Sequence, residues 1–184
     1  MAATDRRPGI RPRPTLGRRL DVAARHGFPF GVTILLMLLT HAPWNIAGQA
    51  ALLPAVALCC VWFWSVFRPG SMPPPAVFLI GVLTDLLGYL PLGVGIFVLL
   101  ATHGLALTMR RPLSRGGFAR TWLAFAAAAI GAALLMWLLT MLLTFRALPP
   151  APALFVGVLS AALFPLIAVP FAAAHRTIAD PDRA

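Results

Sequence analysis

Asp85 is the one acid inside the apolar stretch of this chain, since Asp5, Asp21, Asp180 and Asp182 all lie near the termini. An ionisable side chain at bilayer depth costs roughly 2.5–3.5 kcal/mol even on lenient insertion scales. Such a group is kept for an ion or proton path, a ligand, or a structural partner. Few polar side chains accompany it: Thr33, Thr40, His41, Ser65, Thr84, Thr102, His103, Thr140, Thr144 and Ser160, with Asn45 and Gln49 beside the first apolar run. A histidine paired with the aspartate could pass protons. At ~1.5 Å of rise per helical residue, Asp85 lies ~15 Å and His41 ~20 Å from the arginine-bearing face, and His103 lies nearer that face. His41 is therefore the expected polar partner of Asp85, with Thr40 and Thr84 as lesser ones.

Other chemistries find no matching residue set. Ser160 has no base near it in sequence, no Gly-Lys-Ser/Thr phosphate loop occurs, and no second acid accompanies Asp85. His41 and His103 are not spaced as a metal pair. No catalytic residue, metal or cofactor is expected. The structural reading of Asp85 rests on its downstream neighbours: Gly88, then Pro91-Leu92-Gly93 at the start of another apolar run. The free amides at a helix start form a positive end that a carboxylate can satisfy. Because Asp85 precedes Pro91 by about six residues, that contact needs a turn that folds back. If the acid acts as a neutral hydrogen-bonding group, Asn in its place should leave assembly largely intact.

The elements that carry these residues are set by composition. The 184-residue chain is 60% hydrophobic and 11% charged, with a mean hydropathy of +0.87. Soluble domains run nearer 45–50% apolar and about 25% charged. Long apolar blocks separated by short gaps bearing Arg or Pro predict an all-α, polytopic membrane protein, and the alternating segments of a membrane barrel are absent. Six spans are expected: Phe28–Trp44, Ala50–Phe67, Ala76–Leu90, Leu92–Met109, Thr121–Phe145 and Ala153–Ala174. The third and fourth are short for a bilayer, and Ala76–Met109 as a single bent span is the alternative.

Charge distribution favours six. All fifteen cations are arginine. Arg6, Arg7, Arg11, Arg13, Arg18, Arg19 and Arg25 precede the first span, and Arg68, Arg110, Arg111, Arg115, Arg120, Arg176 and Arg183 fall on the same side only if the spans number six. Arg146 alone falls opposite. The positive-inside rule then places both termini in the cytoplasm. No cleavable signal peptide is evident, so the first span is expected to remain as an anchor.

Three regions result: a basic, Pro/Arg-rich tail over 1–27, a membrane domain over 28–174 and a short tail over 175–184. The first tail reads as disordered, turning helical near Leu16–Arg25. Its Arg11, Arg13, Arg18, Arg19 and Arg25 can meet anionic lipid at the cytoplasmic face or serve only as a topology signal. No motif supports nucleic-acid binding. Ala124, Ala128 and Ala132 form a small-residue stripe in the fifth span, with Ala129 and Ala133 beside it, and Gly157 and Ala161 do the same in the sixth. Such stripes let helix backbones approach closely. Pro165 and Pro170 are expected to kink the sixth span. Cys59 and Cys60, adjacent in an apolar run, read as buried free thiols.

The stretch Phe78–Gly93, with the length, span count and topology, resembles the MreD family of bacterial rod shape-determining membrane proteins. Gly81 and Asp85 match that family's Gly-x-x-x-Asp, and Pro91, Leu92 and Gly93 match its Pro-Leu-Gly. The family's middle glycine falls one position later, where this chain has Tyr89, so Gly88 would have to serve the turn. The resemblance implies a non-enzymatic scaffold of the cell-wall elongation machinery in the bacterial inner membrane. It implies MreC as direct partner, and MreB, RodA and a class B penicillin-binding protein in the same complex. It also implies a fold similar to the substrate-binding subunits of energy-coupling-factor vitamin transporters. The alternative is such a transporter subunit itself. Against it stand the scarcity of polar groups for a vitamin pocket, the short loops on the far side, and the lack of an Ala-x-x-x-Ala motif in the first span.

Overall fold

A computed structural model describes residues 16–43, 48–88 and 90–179, with side chains over those parts of 27–173. The fold is all-helical, with no strand among the described residues. Six long helices come in order: α1 Leu16–His41, α2 Leu52–Phe67, α3 Pro74–Gly88, α4 Val94–Arg115, α5 Gly117–Thr144 and α6 Ala151–Ala179. Single 3-10 turns, Gln49–Ala51 and Pro69–Ser71, lead into and out of α2. Four stretches are long and apolar enough to cross a membrane: Gln49–Phe67, Val94–Arg115, Gly117–Thr144 and Ala151–Ala173. Gly27–His41 and Pro74–Gly88 are apolar but shorter.

α2 is the central stave. Its apolar window is 83% buried, against 22% for that of α5, so α2 is wrapped by protein while α5 turns most of its surface outward. A helix hydrophobic all round is what such a position requires. Trp62 of α2 meets Phe125 of α5 with ring centroids 5.8 Å apart. Trp64 meets Phe28 of α1 at 6.3 Å and Phe171 of α6 at 4.8 Å. Phe125 stacks in turn on Phe164 of α6 at 4.5 Å. Outward, Leu35, Leu123, Leu142, Leu166 and Val169 are exposed, the surface a hydrocarbon solvent would cover.

The small-residue stripe of α5 faces the bundle. Ala129, Ala132 and Ala133 are buried, and Ala124 and Ala128 pack on the core from its edge. α6 meets α5 on another face, at Gly157, where an added Cβ would sit 3.0 Å from the Ile130 Cα. The Trp122 indole N–H donates to the Ala161 carbonyl at 2.9 Å, tying the two helices again. α6 runs on as one helix through both Pro165 and Pro170.

Several helices run past the expected apolar spans, and the start of α1 falls where the basic tail was expected to turn helical. α1 begins at Leu16, so the helix takes in Arg18, Arg19 and Arg25 and starts inside the region read as a tail. α4 runs on through Pro112 to Arg115, past the expected end at Met109. Hydropathy marks where apolar residues stop, not where helical backbone stops. Arginine is itself a good helix former, so polar turns extend both helices. Arg11 and Arg13 lie outside the described residues.

Candidate functional site: the Asp85 hairpin

Between α3 and α4 the chain folds back, and Asp85 is the group that closes the fold. It is buried on α3, one turn beyond Gly81 and on the same face. Its Oδ2 accepts the Gly93 amide at 2.8 Å and the Ile96 amide at 3.4 Å, and its Oδ1 accepts the Gly95 amide at 2.6 Å. The first amides of any helix lack intrahelical partners. Here the Val94 amide donates to the Pro91 carbonyl at 3.2 Å, and Phe97 starts the helical ladder on the Gly93 carbonyl at 2.9 Å. Gly95 and Ile96 are left, and the carboxylate takes both. A side chain of the preceding helix thus performs the task usually given to an N-cap residue.

Three glycines make the fold-back possible, each for a separate reason. Gly93, the N-cap of α4, has φ 104°, a left-handed conformation that L side chains avoid. At Gly95 an added Cβ would lie 2.5 Å from Asp85 Oδ1. At Gly81 it would lie 2.5 Å from the Ile96 Cα, so α3 and α4 touch there backbone to backbone. Gly81 and Gly93 stand out in the sequence but Gly95 does not, because its demand for space arises only once Asp85 is brought against it. Gly88 ends α3, and a Cβ there would meet Leu53 Cδ2 at 3.6 Å, an ordinary contact. Leu92 is exposed and takes no part in the capping.

The expected pairing of Asp85 with His41 is not formed. Every bond described for the carboxylate comes from a backbone amide, and His41 is the exposed last residue of α1. The free amides at the start of α4 take the carboxylate instead.

The buried histidine that does find a side chain is His103. Its Nδ1 lies 2.7 Å from Ser65 Oγ, joining α4 to α2. The Ser65 hydroxyl donates its single hydrogen to the Val61 carbonyl, so Nδ1 carries the proton of the Ser65–His103 bond. His103 Nε2 makes no hydrogen bond among the described residues, nor do the indole nitrogens of Trp62 and Trp64 or Nη1 of Arg68. The pair is separated by 38 positions, and only the two polar types in apolar helices hinted at it.

The remaining hydroxyls are spent locally. Thr33, Thr84, Thr102, Thr140, Thr144 and Ser160 each donate to the carbonyl four residues earlier. Back-bonding of this kind satisfies the hydroxyl without any external partner. Gln49 donates to the Thr40 and Ala42 carbonyls, closing the end of α1. Cys59 and Cys60 are buried and unbridged, and the Cys59 thiol lies 3.4 Å from the Ser160 carbonyl. Among the described residues no three potential metal ligands come together.

At the end of the bundle away from Arg68 and Arg115, a cavity of about 370 Å³ lies between α2, α3, α5 and α6. Pro54, Gly88, Ala133, Met136, Ala153 and Phe155 are among its walls.

No family model, curated protein or solved structure matches the chain.

Proposed function

We propose that the chain is a non-enzymatic scaffold of the bacterial cell-wall elongation machinery, helping to maintain rod shape by binding MreC. In this reading it sits in the inner membrane with six spans and both termini in the cytoplasm. α1 and α3 would be the short spans, shielded by their neighbours or thinning the bilayer. MreB, RodA and a class B penicillin-binding protein would belong to the same complex, and the arginines of α1 would lie at anionic headgroups.

One observation carries the reading. Asp85, the one buried acid among the described residues, is consumed as the cap of α4 through the amides of Gly93, Gly95 and Ile96. An acid so committed supports a fixed hairpin rather than ion or proton handling. Gly81, Asp85 and Gly93 of the resemblance meet at this one hairpin, and Pro91 supplies a carbonyl to the same turn. The test is extraction of the full-length chain from native membranes in mild detergent, with its companions identified by mass spectrometry. MreC is expected to stay bound. A partner-free chain that retains a vitamin would contradict the proposal.

The second reading, a vitamin-binding transporter subunit, draws on the cavity, whose 370 Å³ falls in the range of small-molecule sites. Its walls argue the other way. The Thr140 hydroxyl and the Trp137 indole N–H, which could hold a polar ligand, are bonded to the Met136 and Leu148 carbonyls.

A further inference from the structure

A separate recess lies at the C-terminal end of α5. It measures about 290 Å³ and is lined by Leu138, Met141, Leu142, Phe145, Arg146 and Ala147. The chain makes it by turning back. Phe145, the C-cap of α5, has φ 53°, a left-handed conformation that bulky L side chains rarely adopt. Arg146 and Ala147 thereby come beside the last two turns of α5, so a cation and an apolar helix face share one recess. Both are open to the surroundings. Phe145 is 91% exposed, and Leu138 and Leu142 are exposed beside it, as a face turned to hydrocarbon should be. Asp85 is the one acid whose side chain is described, and the amides of α4 take its carboxylate, so Arg146 has no ion pair among the described residues. Arg68, Arg110, Arg111, Arg115 and Arg120 sit toward the other end of the bundle. The walls come from one helix end and its loop, so they form no groove for an incoming helix. A cation set into an apolar recess is complementary to an amphiphile with an anionic head.

We propose that this recess binds an anionic phospholipid of the surrounding leaflet, with its phosphate on the Arg146 guanidinium and the start of an acyl chain against Leu138, Leu142 and Phe145. The guanidinium offers forked donors that match phosphate oxygens. The helix face beside it offers hydrocarbon with no polar side chain to desolvate. The site reads net charge, because a zwitterionic headgroup carries its own cation beside the phosphate and gains less from Arg146. The inference requires only that the chain lies in a membrane, and it is independent of the elongation-machinery reading.

The test uses the full-length chain in nanodiscs of dioleoylphosphatidylcholine. These are doped with a trace of phosphatidylglycerol or of phosphatidylcholine, each carrying the same diazirine near the glycerol end of one acyl chain. After irradiation, adducts are mapped by mass spectrometry. The phosphatidylglycerol probe is expected to label residues 138–147 about fivefold more than the phosphatidylcholine probe, the effect of one arginine near a lipid surface. Arg146→Gln, in an exposed loop, should bring the two probes level there. Labelling around the exposed Leu123, nearer the arginine-rich end of α5, should not change. Equal labelling of 138–147 by both probes in the unaltered chain overturns the proposal, as does a preference that survives Arg146→Gln. Labelling around Leu123 with none over 138–147 also overturns it, because a protein, such as a second copy of the chain, then covers the recess.

Discussion

Asp85 Oδ1 lies 2.6 Å from the Gly95 amide, across the fold-back that joins α3 to α4. The contact explains two residues at once. The acid is stabilised by the amides and positive end of α4, and the glycine leaves room for the carboxylate. Hydrogen bonds to a charged group contribute about 1.5–3 kcal/mol each. Two or three of them offset the roughly 2.5–3.5 kcal/mol of placing an acid in apolar surroundings.

Gly95→Ala is expected to destabilise the chain by about 1–3 kcal/mol, because its Cβ would displace the carboxylate. Gly93→Ala should cost about 1–2 kcal/mol through its left-handed backbone. Gly88→Ala should stay within about 0.5 kcal/mol. Unfolding in mixed micelles with rising denaturing detergent would rank the three.

Asp85→Asn should cost about 1–3 kcal/mol in the same assay. Both carboxylate oxygens face only N–H donors, and Asn must turn its NH2 toward one of them. Tolerance of Asn, expected for a neutral acid, is thus not what this geometry predicts. His41→Ala should leave the hairpin's stability unchanged, since His41 takes no part in it. Equal losses in Asp85→Asn and His41→Ala would restore the His–Asp pairing.

Ser65→Ala removes the one side-chain partner of His103. Interhelical hydrogen bonds in membranes average about 0.6 kcal/mol, because the unfolded chain in lipid finds partners too. A loss of about 1 kcal/mol is expected. A double-mutant cycle with His103→Leu should show coupling of similar size, and strict additivity would contradict the Ser65–His103 bond.

Cys59 and Cys60 are both fully covered. Neither should react with a maleimide in the folded protein, and both should react once α2 is released from the bundle. Rapid labelling without denaturant would place α2 at the surface rather than the centre.

Much of the fold was legible in the sequence because apolar blocks and their punctuation record helices directly. Pro91-Leu92-Gly93 announced a break, and α3 and α4 are two separate helices. The inward face of the Ala124, Ala128 and Ala132 stripe shows only in the packed bundle, where Ala132 is buried and Ala124 and Ala128 lie against the core. The end of α4 at Arg115 was not legible from hydropathy. Neither was the pairing of Ser65 with His103. The role of Gly95 depends on a contact between residues 10 positions apart through a turn, which no local pattern encodes.

The central claim, that Asp85 is the structural cap of α4, is tested most directly by hydrogen exchange of the Gly95 and Ile96 amides in nitrogen-15-labelled protein. Slow exchange at both amides in the native chain, lost selectively at these sites in Asp85→Asn while the rest of α4 keeps its protection, is the predicted result. Fast exchange at Gly95 in the native chain, or protection unchanged by the substitution, would contradict it.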